Sequence, residues 1–230
     1  MDFSIVLDNL DLYLDGLLTT AELVAAALAI GLALAVPLAL AAIYGNPVTR
    51  GAVFCYTYFF RGTPLLVQMF MLYYGAGQFE AIQNSVLWPV LREAYWCALI
   101  AFTLNTAAYT TEILRGAIRA TPRGEIEAAQ ACGMSTTLML RRIVLPSAFR
   151  RALPAYGNEV IFMLHGSAIA SVITIVDLTG AARIINSRYY SPYEAFITAA
   201  LFYMALTFVI VALFRLLERR WFAHLRPRSE

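Results

Sequence analysis

The stretch from Leu17 to Ile43 contains one charged residue, Glu22, and is otherwise dominated by Ala, Leu, Val and Ile. A helix needs about 20 mostly apolar residues to cross the roughly 30 Å of hydrocarbon in a bilayer. Because lipid offers the backbone no hydrogen-bond partners, such a stretch must satisfy its own amide groups as an α-helix. Similar stretches recur at 54–74, 95–114, 156–175 and 193–213. The sequence therefore predicts an all-α integral membrane protein with five transmembrane helices, the first at 17–43.

The composition supports this class and excludes others. Charged residues make up 14% of the chain, whereas an average soluble domain is about 25% charged. The three cysteines are too few and too widely spaced for a disulfide framework or a metal cluster. All 17 basic residues are arginines, so the lysine of a phosphate-binding loop is missing. We therefore expect no catalytic residue, no metal site and no ATP hydrolysis in this chain, and no nucleic-acid partner.

The arginines are divided unevenly between the two sides of the predicted membrane domain. Short loops rich in arginine stay in the cytoplasm. The side that would be cytoplasmic carries Arg50, Arg115, Arg119, Arg123, Arg141, Arg142, Arg150, Arg151, Arg215, Arg219, Arg220, Arg226 and Arg228, and the other side carries Arg92, Arg183 and Arg188. The pattern predicts an N-terminus outside and a C-terminus in the cytoplasm. The acidic start, with Asp2 and Asp8, argues against a cleaved signal peptide.

The segment 115–151, between the third and fourth predicted spans, is too polar to cross a membrane. Thr121 followed by Pro122 is typical of a helix start, with Thr121 as the N-cap. The pattern predicts a short helix over 125–132 that stops at Gly133, because glycine readily adopts the left-handed conformation that ends helices.

A second short helix follows in the same segment. Ser135 is a suitable N-cap, and we predict that the helix runs to Val144 and ends at Pro146. The two helices would form a compact projection on the cytoplasmic side.

Residues 127–146 read EAAQACGMSTTLMLRRIVLP. This resembles the EAA signature of ABC importer membrane subunits, which has E-A-A, three residues, G, nine residues and I-x-L-P. The matching positions are Glu127, Ala128, Ala129, Gly133, Ile143, Leu145 and Pro146. The resemblance implies that 115–151 is a coupling loop whose helix docks into a separate ATPase subunit.

Further segments are similar to the polar amino-acid branch of that family, which includes importers of histidine, of lysine, arginine and ornithine, and of octopine and nopaline. They read FRGTP at 60–64, FTLNTAAYTTEI at 102–113, LPAYGNEVI at 153–161 and LERRW at 217–221. The resemblance implies one permease domain over 1–230 in a bacterial inner membrane. Its partners would be a second permease, expected to be a sister chain, a periplasmic substrate-binding protein, and an ATPase dimer that carries ATP and Mg²⁺.

Polar residues within the predicted spans are candidates for the substrate path, because such residues are costly in lipid. In the third span Asn105, Tyr109 and Glu112 share one helix face. Glu112 lies near the cytoplasmic end, where water or Arg115 could satisfy it. Asn105 lies deeper, so it should face another helix or a cavity.

In the fourth span the candidates are Asn158, Glu159, His165 and Ser167. Glu159 could contact a cationic substrate, or it could pair with Arg61 or Arg151. In related arginine importers the glutamate after G-N helps to bind the substrate side chain, together with an acidic residue seven positions later. Here that later position is Gly166, and the preceding His165 could be a packing residue or a substrate contact.

Arg61, Gly62 and Pro64 interrupt the second predicted span. A broken helix can present backbone groups to a solute, and the same residues could instead fix a bend.

Other functions are less consistent with the sequence. The chain could be a permease for another polar amino acid, such as glutamine or glutamate. An intramembrane enzyme would need a nucleophile with its base or a metal site, and His165 and His224 form no such motif. A passive channel would not need a structured coupling loop.

Overall fold

The computed structural model describes residues 3–221, so the predictions that involve Asp2, His224, Arg226 and Arg228 lie outside the described residues. The described part is helical, without strands. Its α-helices are α1 (Ser4–Asp8), α2 (Leu10–Tyr44), α3 (Pro47–Gly62), α4 (Leu65–Phe70), α5 (Glu80–Gln83), α6 (Trp88–Leu91), α7 (Ala94–Arg119), α8 (Arg123–Ala131), α9 (Thr136–Met139), α10 (Leu145–Gly166), α11 (Leu178–Tyr189) and α12 (Pro192–Trp221). Wider π-turns occupy Met71–Gly75 and Leu140–Val144, and tighter 3₁₀ turns occupy Ala76–Gln78 and Ser167–Ile173.

In the described residues, α2, α7 and α12 are long and apolar enough to cross a membrane. A fourth candidate consists of Thr136–Ile173 followed by α11, with a bend of 46° between them. The all-α membrane class is therefore confirmed, with three to four candidate spans. The second predicted span, 54–74, is not one continuous helix, because α3 ends at Gly62 and α4 begins after Pro64. The five-span count stays a prediction.

Helix α7 forms the centre of the bundle and α12 lies at its periphery. Small residues let α2 approach α7 closely: a Cβ on Gly31 would lie 2.5 Å from the methyl group of Thr106. Small residues at such contacts are typical of membrane helices, where association depends on close packing rather than on the hydrophobic effect.

A second close contact joins α2 to the start of α11. A Cβ on Gly16 would lie 2.8 Å from the carbonyl oxygen of Asp177, and the hydroxyl of Thr20 accepts from the N–H of Leu178 at 3.1 Å. Asp177 itself caps α11, because its carboxylate accepts from the N–H of Gly180 at 2.8 Å. These contacts hold the bent part of the fourth candidate span against α2.

The polar segment 115–151 contains helices near the predicted positions, with one correction at its start. Helix α8 covers Arg123–Ala131, and Gly133 adopts φ +74°, the left-handed conformation expected of it. The side chain of Ser135 caps α9 by accepting from the N–H of Leu138. The N-cap prediction for Thr121 is wrong, because its hydroxyl accepts from the guanidinium of Arg151 instead.

The predicted helix end at Pro146 is also wrong. The chain stays helical from α9 through the π-turn at Leu140–Val144 into α10, and Pro146 occupies the first turn of α10. A proline ring normally clashes with the carbonyl four residues earlier and lacks an N–H to bond to it. A π-turn widens the helix locally, so the proline is accommodated without a break.

Candidate functional site

A cavity of about 600 Å³ lies between α4, α7 and α10. Its lining residues are Leu65, Asn105, Tyr109, Ile113, Ala155, Asn158, Glu159, Phe162 and Met163. The structure thus brings together four predicted site residues, namely Asn105, Tyr109, Asn158 and Glu159. Asn105 and Tyr109 lie one turn apart on α7, and the other two lie on α10, so two facing helices provide the polar groups. The rest of the lining is apolar, as in most small-molecule sites.

Glu159 is the acidic residue of this cavity. It is 7% exposed, and its Oε1 accepts from the hydroxyl of Thr106 at 2.9 Å. Neither arginine considered as its partner pairs with it: Arg61 lies near Glu112, and Arg151 bonds to the α7–α8 turn. Within residues 3–221 the structure contains no ion pair to Glu159, and the hydrogen bond from Thr106 is the polar contact described for its carboxylate.

Arg61 lies beside the cavity, at the end of α3. Its guanidinium lies 5.3 Å from the ring centroid of Tyr109 and 3.8 Å from a carboxylate oxygen of Glu112. Arg115 makes the closer contacts to Glu112, through Nε at 3.1 Å to both oxygens and through its Nη2. Glu112 is therefore paired with two arginines, one of which is the Arg115 that the sequence suggested.

Asn105 contributes to the helix break as well as to the cavity. Its Nδ2 donates to the carbonyl of Phe60 and to the Oε1 of Gln68, both at 3.1 Å. Gln68 and Thr106, the hydroxyl partner of Glu159, were not predicted to contribute to the site. Gln68 could have been found as the polar residue that follows Pro64 by one helical turn in an apolar stretch. The sequence offers no comparable signal for Thr106.

The structure does not bring His165 and Ser167 into the cavity. His165 faces α12, where its Nε2 lies 3.1 Å from the hydroxyl of Thr207, and it lines a separate groove of about 500 Å³. The hydroxyl of Ser167 is buried and donates to the carbonyl of Leu164 at 2.7 Å. His165 is exposed and its described contact is to Thr207, outside the cavity, so its role stays a prediction.

The residues of the EAA-like motif fall into an exposed and a buried group. Glu127 and Ala128 are exposed on α8. Ala129 is 3% exposed and belongs to a cluster of apolar residues that connects the segment to α2, α7 and α10. Ile143 and Leu145 pack against the same cluster, and Pro146 is exposed in the first turn of α10. The motif therefore anchors α8 while leaving part of it free for contact with another protein.

Arg151 ties the start of α10 to the turn that precedes α8. Its guanidinium donates to the carbonyl of Ala117 at 3.2 Å and to the hydroxyls of Ser147 and Thr121, both at 2.7 Å. One side chain thus joins α7, the turn and α10.

We expect Arg151→Leu to loosen this turn. Hydrogen bonds from a charged donor contribute about 1.5–3 kcal/mol, so amide exchange in 117–124 should become roughly tenfold faster. Hydrogen–deuterium exchange followed by mass spectrometry measures this. The neighbouring Arg150 is exposed, so Arg150→Leu is the matched control and should leave exchange unchanged. Equal exchange in the two variants would contradict the assigned role.

Comparison with known proteins gives a consistent result. Residues 23–223 match the family described as binding-protein-dependent transport system inner membrane component. The chain is 46% identical to the nopaline transport system permease protein NocM of Agrobacterium fabrum over 229 residues, which covers 99% of this chain and 95% of that protein. It is also 46% identical to the histidine/lysine/arginine/ornithine transport system permease protein HisM of Escherichia coli, over 93% of this chain and 90% of that protein.

Solved structures share the fold. A crystal structure of an amino acid ABC transporter with histidines superimposes with a TM-score of 0.85 at 35% identity, covering 96% of this chain and 99% of that one. The MetNI methionine ABC transporter in an inward-facing conformation superimposes with a TM-score of 0.68 at 17% identity, over 96% and 99% of the two chains. The second similarity concerns the fold alone.

Proposed function

This chain belongs to the family of binding-protein-dependent transport system inner membrane components, and from that premise we propose that it imports basic amino acids or opines derived from them. It is a transport permease, similar over nearly its whole length to permeases of amino-acid and opine importers. The substrate class is the part that we infer.

The observation that carries this inference is Glu159, a carboxylate without an ion pair in the described structure, at the wall of a cavity of about 600 Å³. A carboxylate in an apolar environment attracts a cation more strongly than it would in water. The side chain of arginine, lysine or ornithine, or of protonated histidine, would supply that cation. The similarity to HisM, a histidine/lysine/arginine/ornithine permease, and to NocM, a nopaline permease, supports this class.

We also propose the topology and the partners. Five spans, with α3 and α4 forming the second as a broken helix, would place the N-terminus in the periplasm and the arginine-rich segment 115–151 in the cytoplasm. A second permease, expected to be a sister chain, would complete the path, and a periplasmic binding protein would deliver the substrate.

The energy for transport would come from outside this chain. Two ATPase subunits, with ATP and Mg²⁺, would dock on the coupling loops of the two permeases, one of them on the exposed face of α8 next to Glu127 and Ala128. Closure of the ATPases would draw the docked helices together. Because α8 follows α7 after a short turn held by Arg151, such a movement would reach the helix that carries Asn105 and Tyr109.

Competition during uptake tests the substrate class. The complete transporter in proteoliposomes, loaded with ATP, would take up radiolabelled L-arginine against a panel of unlabelled amino acids and opines. We expect histidine, lysine, ornithine and opines to compete, and neutral or acidic amino acids to compete at least about tenfold less well, as expected for an unpaired buried charge. Strongest competition by glutamine or glutamate would favour another polar amino acid. Strongest competition by branched apolar amino acids would overturn the assignment.

A further inference from the structure

The elbow between α3 and α4 leaves backbone carbonyls without their usual helical partners. Pro64 has no N–H, so it cannot bond to the carbonyl of Phe60 four residues earlier. Thr63 precedes Pro64 in an extended conformation, with ψ 143°. An unsatisfied backbone group in a membrane interior costs several kcal/mol, so other donors have to reach these carbonyls.

Two amide side chains supply the missing donors. The two N–H groups of Gln68 Nε2 are shared among three acceptors: the carbonyls of Phe60 and Thr63, at 2.9 and 3.0 Å, and the hydroxyl of Thr63, at 2.8 Å. The Nδ2 of Asn105 donates to the same Phe60 carbonyl and to the Oε1 of Gln68, both at 3.1 Å. Gln68 is 5% exposed and Asn105 is 7% exposed. We call this pair, Gln68 and Asn105, the amide clamp.

The amide clamp connects three elements that meet at the cavity. Gln68 lies on α4, its acceptors lie at the end of α3, and Asn105 lies on α7. Leu65, the first residue of α4, lines the cavity together with Glu159. The angle at the elbow therefore sets the position of the α4 wall relative to the carboxylate on α10.

Tyr109 adds a weaker contact to the same elbow. Its hydroxyl lies 3.4 Å from the carbonyl oxygen of Arg61, and its ring lines the cavity. The clamp has shorter contacts and more of them, so it is the main constraint on the elbow among the side chains described.

We propose that Gln68 and Asn105 are positioning residues for substrate recognition: the amide clamp holds the α3–α4 elbow so that the cavity keeps the width at which a ligand reaches Glu159. This rests on the proposed function, in which that cavity binds a cationic amino acid. Loss of the clamp should weaken substrate recognition while the docking surface of α8, which lies on another part of the chain, stays intact.

The first test needs no ligand. Cys55 is exposed on α3, and Met71, beyond the elbow, is 62% exposed. Spin labels at Cys55 and at Met71→Cys, in the full chain with Cys132→Ser, report the elbow by double electron–electron resonance. We expect a narrow distance distribution in the otherwise unchanged chain and a broad one with Gln68→Leu.

Gln83 is an exposed glutamine that donates to the carbonyl of Gly77. Gln83→Leu is therefore the matched control, and its distance distribution should stay narrow. An equally narrow distribution with Gln68→Leu would overturn the proposal.

The second test uses uptake of L-arginine by the complete reconstituted transporter. Displacing a binding group by about an ångström can reduce its effect by up to roughly a hundredfold. We therefore expect Gln68→Leu to raise the KM for L-arginine at least about tenfold. The maximal rate per assembled complex should stay within about twofold of that of the unchanged transporter. A lower maximal rate with an unchanged KM would overturn the proposal, because the clamp would then only stabilise the fold.

The exchange variant Gln68→Asn with Asn105→Gln keeps both amides and the combined length of the two side chains. We expect it to recover most of the KM lost in Gln68→Leu, and no recovery would count against the clamp. If the unchanged transporter took up no basic amino acid and no opine, the proposed substrate class would fail, whereas the spin-label comparison would still decide whether the clamp holds the elbow.

Discussion

Glu159→Gln should raise the KM for uptake of L-arginine at least about tenfold and up to roughly a hundredfold. In the unchanged chain the hydroxyl of Thr106 donates to Oε1 of Glu159 at 2.9 Å. Glutamine has the same size and can still accept this hydrogen bond, so we expect the variant to fold. What is lost is the charge, and hydrogen bonds to charged groups contribute about 1.5–3 kcal/mol, where 1.4 kcal/mol corresponds to tenfold. Uptake into proteoliposomes over a range of L-arginine concentrations measures the effect.

Glu80 provides the control for this substitution. It lies in the short helix α5 and is exposed, so Glu80→Gln removes one carboxylate from the chain without touching the cavity. Its KM should equal that of the unchanged transporter. An unchanged KM in Glu159→Gln would show that the cavity carboxylate does not contact the substrate.

Glu127→Arg should separate this chain from its ATPase. Glu127 is exposed on α8, and we propose that it anchors the docked ATPase. Reversing a charge at such a contact leaves the partner group unpaired, which costs about 2–5 kcal/mol. We therefore expect ATP-dependent uptake to fall at least about tenfold, and the ATPase to be lost when the complex is purified through a tag on this chain.

Glu125→Arg makes the same change of charge on the same helix. Glu125 is exposed as well. At 3.6 residues per turn, its side chain is about 160° around the helix axis from that of Glu127, so it lies on nearly the opposite face of α8. In the transporter with Glu125→Arg, the ATPase should stay bound and the rate of ATP-dependent uptake should change little. If the two variants behaved alike, or if Glu127→Arg kept both its ATPase and its uptake, the docking role of Glu127 would be wrong.

Much of the helical framework follows from local features of the sequence. The apolar stretch at 17–43 lies within α2, and 95–114 lies within α7. Gly133 has the positive φ expected of a residue that ends a helix, and Ser135 caps the next one. Pro64 follows the end of α3. Each of these features depends on residues that are neighbours in the chain, so the sequence is enough to predict it.

The candidate site was predicted less completely. Helical spacing places Asn105 and Tyr109 on one face of α7, and the cavity contains both. The same kind of reasoning grouped His165 with the other polar residues of α10, although His165 faces Thr207 on α12. Periodicity says which residues share a face, but not which neighbouring helix that face meets.

The sequence by itself determined the all-α membrane class, the apolar stretches that lie within α2, α7 and α12, the break before Pro64 and the motif that runs from α8 to the start of α10. These depend on apolar length, on the missing N–H of proline and on side chains that match a known family. Only the tertiary structure decided that Gln68 and Asn105 both bond to the carbonyl of Phe60 at the elbow, and that Thr106 rather than an arginine bonds to Glu159. The physical reason is that such partnerships depend on how the helices rotate and cross at contacts such as the one between Gly31 and Thr106, and those contacts join residues far apart in the chain.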